Sequence, residues 1–146
     1  ILITPKYGSF KGTPAPAEDL FSGRAFLEQT GQSFKLIATT PDLFDQYLDQ
    51  FKLFGHYLGC IVESIYNGSI QKSQPEFDWS EDDIKRVQKT ATYFLGGSIG
   101  TKGQSASIIQ NEALAYLNSV GISNISFLPI QHPEIAALLG IYLLFI

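Results

Sequence analysis

The stretch from Asp42 to Tyr66 constrains this chain more than any other part of it. Apolar residues stand at Leu43, Phe44, Tyr47, Leu48, Phe51, Phe54, Leu58, Ile61, Val62 and Ile65. That spacing of three and four predicts one long amphipathic helix. Thr40 is placed to cap it, and Pro41 sits at the first helical position, where its missing N–H costs nothing. Gly55 and Gly59 lie one turn apart on this helix. Glycines so placed predict close approach of a second backbone, so the helix is expected to be central. It should end near Asn67-Gly68.

Around it the pattern changes repeatedly. Ile1-Leu2-Ile3 reads as the end of a strand stopped by Pro5, and residues 7 to 17 read as an exposed turn-rich loop. Glu18 to Gly23 and Arg24 to Gln29 read as one or two short helices broken at Ser22-Gly23. Residues 69 to 79 are polar, and the region from about 69 to 83 looks like an insertion. Ser80 then opens S-E-D-D, an N-cap with acidic first-turn residues, for a short helix to about Lys89. Ala91 to Leu95 has strand composition and stops at Gly96-Gly97. Gln104 to Val120 reads as a helix, Ile125 to Leu128 as a strand, and Pro133 to Ile146 as a final buried helix. Helix, strand, glycine loop, helix, strand, helix implies parallel strands with helices on their faces, hence an α/β fold.

Composition narrows the function classes. The net charge is −4, from 10 Lys and Arg against 14 Asp and Glu. A protein that tracks nucleic-acid phosphates needs a basic face, so that class is disfavoured. Cys60 is the single cysteine and His56 and His132 the two histidines. They allow neither a disulfide nor a cysteine-based zinc cage, and a reducing, cytoplasmic setting is the simplest expectation. The apolar run Ile135 to Ile146 is shorter than the ~20 residues of a membrane span. Charged residues are only 16% of the chain, so part of the exterior is expected to be covered, by another segment or in a homodimer. No methionine is present and the chain starts at Ile1, which reads as a piece of a longer protein.

Three places could carry chemistry. The first is the turn Gly96-Gly97-Ser98 after the predicted strand. Glycine lets a backbone approach a ligand, and ligands of open α/β sheets sit at the C-terminal ends of strands. The plain alternative is a tight turn. The segment is neither G-x-x-x-x-G-K-[ST] nor G-x-G-x-x-G. The second is Glu18, in Ala17-Glu18-Asp19-Leu20-Phe21-Ser22-Gly23, a carboxylate that could accept hydrogen bonds from sugar hydroxyls. Its plainer reading is a first-turn acid. The third is Cys60 with His56 four residues before it. A small buried thiol is the stronger reading there than a nucleophile.

Taken in order, E-D-L-F-S-G, the glycine-containing helix, Y-F-L-G-G-S-I-G, a helix, a strand and H-P-E-I-A-A-L-L-G resemble the C-terminal part of bacterial glucokinases and related sugar kinases. These belong to the actin-like ATPase superfamily. The family's A-E-x-x-x-S-G segment is matched by Ala17, Glu18, Ser22 and Gly23. Its Gly-Gly pair is matched by Gly96 and Gly97, and its last helix by Pro133, Leu138, Leu139 and Gly140. The resemblance covers about residues 17 to 146. It implies one lobe of an actin-like (ribonuclease-H-like) ATPase fold. It further implies a hexose kinase that moves the γ-phosphoryl group of Mg-ATP to a sugar hydroxyl. Glu18 would then touch the sugar, and Gly96, Gly97 and Ser98 the adenosine. The family's catalytic Asp and its D-x-G-x-T phosphate loop lie in an N-terminal half with no counterpart here. The piece alone is therefore expected to be inactive. Three departures accompany the likeness. No glycine-histidine sugar segment is recognisable in residues 7 to 16, the 69 to 83 region is long, and the cysteine-rich zinc motif of the related repressor branch is missing. A non-catalytic regulatory or scaffolding relative of the same fold is the alternative.

Overall fold

A computed structural model describes residues 1–69, 78–96, 99 and 103–130. The predicted final helix over Pro133 to Ile146 lies outside these residues. Two strands, β1 (Leu2–Ile3) and β2 (Ala15–Pro16), pair antiparallel and lead directly into α1 (Ala17–Leu20). Then follow α2 (Gly23–Thr30), α3 (Phe34–Thr39), α4 (Pro41–Phe44), a 3-10 turn (Asp45–Tyr47) and the long α5 (Leu48–Tyr66). The second half comprises α6 (Glu81–Gln88), β3 (Thr92–Leu95), α7 (Gly103–Ser119) and β4 (Ser126–Pro129). The protein is mixed α/β and mostly helical.

The single helix expected from Asp42 is broken. Tyr47 leaves the helical region (φ −112°, ψ 14°), so α4 and α5 are separate. Packing explains the break. Residues seven apart on a straight helix are separated by about 10.5 Å along its axis. The Phe44 and Phe51 rings nevertheless lie 4.8 Å apart. The kink folds Phe44 back into an aromatic cluster in which Phe26 meets Phe34 and Phe54 edge to face, at 5.2 and 5.4 Å. Such edge-to-face contacts suit the ring quadrupoles. Helix α3, not anticipated from the sequence, feeds the same cluster. Ser33 caps it by accepting from the Leu36 N–H, and it buries Phe34 and Ile37. Thr40 ends it in an extended conformation, as a residue before proline prefers.

The core is built mainly from α5 against α7. The two glycines of α5 permit it. A Cβ on Gly55 would stand 2.5 Å from the Ile109 carbonyl oxygen, and one on Gly59 would stand 2.7 Å from Tyr116 Cδ1. The predicted close approach is real, and α7 supplies the approaching backbone. Helix α6 begins with a capping box: Ser80 Oγ accepts from the Asp83 N–H, and the Asp83 carboxylate accepts from the Ser80 N–H. This satisfies two donors that a helix start leaves orphaned. Of the region read as an insertion, residues 70–77 lie outside the described part, whereas Ser80 to Asp83 are the start of α6.

Strands β3 and β4 are parallel, in the register Thr92 to Ser126 through Leu95 to Pro129, and α7 connects them. The predicted alternation is therefore present as one β-α-β unit. Among the described residues this sheet has two strands, the two that the sequence predicts in this half. Tyr93, Leu95 and Phe127 face the helices, while Phe94 and Leu128 face outward, 66% and 47% exposed.

Candidate functional site

The β-α-β unit positions Gly96. The Ile130 N–H donates to the Leu95 carbonyl at 2.8 Å, so the chain beyond β4 is tied to the C-terminal end of β3. A Cβ on Gly96 would meet Ile130 Cδ1 at 3.2 Å. Ile130 also lines an apolar cleft of about 630 Å3 with Phe94, Leu128 and Pro129. Glycine at this point keeps the strand end open beside Ile130. Among the described residues its lining is apolar and brings no charged side chain. Gly97 and Ser98 lie outside the described residues. None of these four lining side chains carries a carboxylate.

Glu18 lies elsewhere. It occupies the first turn of α1, exposed, and no hydrogen bond or ion pair engages it among the described residues. Its neighbour Asp19 pairs with Arg24 at 2.9 Å. Ser22 caps α2 by accepting from the Ala25 N–H at 3.0 Å. A Cβ on Gly23 would meet nothing within 4 Å. The Ser-Gly pair thus has a complete local role in starting a helix.

The structure does assemble a buried polar cluster that sequence reasoning weighed only in part. His56 is fully buried on α5. Its Nε2 accepts from the Lys6 main-chain N–H at 2.9 Å, which fixes the ring proton on Nδ1. Cys60 Sγ lies 3.5 Å from the same Nε2. Tyr7 stacks on the imidazole at 3.9 Å, and Tyr116 meets it edge-on at 4.5 Å. The Tyr116 hydroxyl donates to Glu63 Oε2 at 2.5 Å. Among the described residues, His56 Nδ1 and the Tyr57 hydroxyl are buried without a hydrogen-bond partner. The loop of residues 7 to 17 is mostly exposed, as expected, but it is anchored here by the stacking of Tyr7 on His56 and closed by Gly12 N–H to Pro5 carbonyl at 2.9 Å.

Electrostatics decide what the pair can do. Burial, reinforced by the Lys6 charge, pushes the His56 imidazole down to about 4. Burial pushes the Cys60 thiol up to about 11. Tyr7 is raised to about 12 by burial and by Glu112, and Tyr116 is raised by burial and by its bond to Glu63. A nucleophilic pair needs a thiolate beside an imidazolium. Here both partners are held neutral, so the cluster fastens the Lys6–Tyr7 segment to α5. The i, i+4 spacing of His56 and Cys60 was visible in the sequence. Tyr7 carried no signal, because nothing local ties it to a residue so far along the chain.

Comparison with protein-family models, with curated proteins and with solved structures finds no match to this chain. Among the described residues no group of three His, Cys, Asp or Glu side chains is placed to hold a metal ion. Among them, too, no helix is long and apolar enough to cross a membrane. The fold is thus that of a mixed α/β protein with a parallel β-α-β unit and an apolar cleft beside the strand ends.

Proposed function

We propose that this chain is the nucleotide-side part of an ATP-dependent hexose kinase resembling glucokinase, built on one lobe of an actin-like ATPase fold. The observation that carries the reading is Gly96 at the C-terminal ends of the parallel strands β3 and β4, against Ile130 and its apolar cleft. An adenine ring suits such a surface, and strand C-terminal ends are where open α/β folds take ligands. In this reading Gly96 leaves room for the adenosine, with Gly97 and Ser98 following. Glu18 would hydrogen-bond sugar hydroxyls. Phosphoryl transfer also requires a base to orient the hydroxyl and positive charge on the moving group. Neither is matched by a family motif in this chain, so ATP bound here awaits groups from the rest of the enzyme.

A nuclear magnetic resonance titration with adenosine and with Mg-ATP tests the nucleotide half. Both should shift the Leu95, Gly96 and Ile130 amides, and Gly96→Val should weaken the binding. Absence of those shifts would remove the site. The sugar half is tested by ADP release from Mg-ATP across a panel of hexoses, using a longer polypeptide that carries this chain. Sugar-dependent ADP, reduced by Glu18→Gln, is the expected result. One observation favours the non-catalytic alternative: Glu18 stands exposed and unengaged among the described residues. That relative would bind nucleotide and release no sugar-dependent ADP.

A further inference from the structure

A second cleft, of about 520 Å3, lies at the other end of the parallel pair, lined by Tyr66, Lys85, Gln88, Lys89, Thr90 and Asn124. Its position follows from the chain path. Thr90 stands just before β3, and Asn124 just before β4. Tyr66 ends α5, and Gln88 ends α6 and ties the two helices by donating to the Tyr66 carbonyl at 3.2 Å. A volume of this size falls in the range that holds a small ligand.

The lining is unusual for a chain of net charge −4. Among the described residues it contains two lysines and no acidic residue. Lys85 in the last turn of α6 and Lys89 just past its end are about one turn apart, exposed, and neither is ion-paired among the described residues. The acidic residues of α6, Glu81, Asp82 and Asp83, occupy its first turn at the opposite end. Lysines near a helix C-terminus also complement the helix dipole. The two helix ends meeting here contribute roughly half an elementary negative charge each. Two full ammonium charges exceed that sum, which leaves the cleft positive. Thr90 adds a hydroxyl, Asn124 an amide, and Tyr66 an aromatic face that is 44% exposed.

We propose that this cleft binds a small phosphomonoester, its dianion between Lys85 and Lys89 and its organic part against Tyr66. The chemistry follows from the donor set: ammonium groups, a hydroxyl and amides all donate to phosphate oxygens, and the described lining brings no carboxylate to repel a phosphate or hold a cation. The site is independent of the Gly96 cleft and stands or falls without it.

The test is a resonance titration of the 146-residue chain with inorganic phosphate, then with phenyl phosphate, at low salt. Saturable shifts at Lys85, Lys89, Thr90 and Asn124 are expected, with phenyl phosphate binding tighter than inorganic phosphate. Lys85→Gln with Lys89→Gln should weaken phenyl phosphate roughly tenfold, as two exposed charge contacts warrant. Added salt should weaken it too, because the charges are in reach of screening. Both lysines are exposed, so the variant is expected to fold, and a wild-type melting curve verifies this. Failure to saturate, or binding that survives the double substitution, would overturn the proposal. So would shifts confined to Gly96 and Ile130, since they would place the ligand in the other cleft.

Discussion

Replacing Gly55 by alanine tests the packing on which the whole molecule depends. The new methyl would stand 2.5 Å from the Ile109 carbonyl oxygen and 2.6 Å from Glu112 Cβ. Relaxed carbon contacts need about 3.5 Å, so α5 and α7 would have to part by most of an ångström. The carbonyl belongs to helical main chain and cannot rotate aside. Overpacking of this kind costs about 1–3 kcal/mol, and a backbone obstruction belongs at the upper end. Alanine returns about 1 kcal/mol as the better helix former. The expected net loss is about 2 kcal/mol, read as a lower urea midpoint at unchanged slope and a fall in Tm of roughly 4–8 °C. Gly23→Ala is the control. Its Cβ meets nothing within 4 Å, so it should change stability by less than about 0.5 kcal/mol. A Gly55→Ala protein as stable as the wild type would refute the close approach of α7.

Two further outcomes follow from the buried cluster. The His56 imidazole titrates near 4 in the folded chain, below its ordinary 6.5. The unfolded chain therefore takes up the proton first. Stability from this group is complete above about pH 6.5 and is lost as pH falls towards 4, by up to about 3 kcal/mol. His56→Gln should flatten the denaturation midpoint across that window relative to the wild type, and an unaltered slope would sink the assignment. The Cys60 thiol, pushed up to about 11, has a thiolate fraction of roughly one in a thousand at pH 8. A thiol reagent should modify it only as fast as the protein opens. Modification at the rate of a free cysteine would show the side chain to be accessible and ionised.

What was legible in the sequence was what local rules govern. The Gly55 and Gly59 stripe announced a partner backbone before any partner was known. Ser80 and Asp83 announced a helix start, and the alternation of helix and strand announced the parallel pair. What escaped depended on contacts distant along the chain. The break at Tyr47 exists because Phe44 must reach Phe51, and no residue between them is a helix breaker. Helix α3 was missed because its burial rests on Phe34 and Ile37, one apolar pair too short to show a period. The anchoring of Tyr7 on His56 joins a glycine-rich loop to the middle of a helix, and each partner alone reads as ordinary.

The same distinction bears on function. The motif residues carry two different kinds of support. At Gly96 a strand end, a parallel neighbour and Ile130 converge, and no local role accounts for the glycine. Ser22 and Gly23 are instead accounted for by the start of α2, while Glu18 stands exposed in the first turn of α1, apart from that cleft. A residue with a sufficient local role gives no independent weight to a motif that contains it. The kinase reading therefore rests on the strand-end cleft more than on the acidic segment. Nucleotide binding at Gly96 is the measurement that bears on it first, with Glu18 decisive only once a sugar is shown to bind.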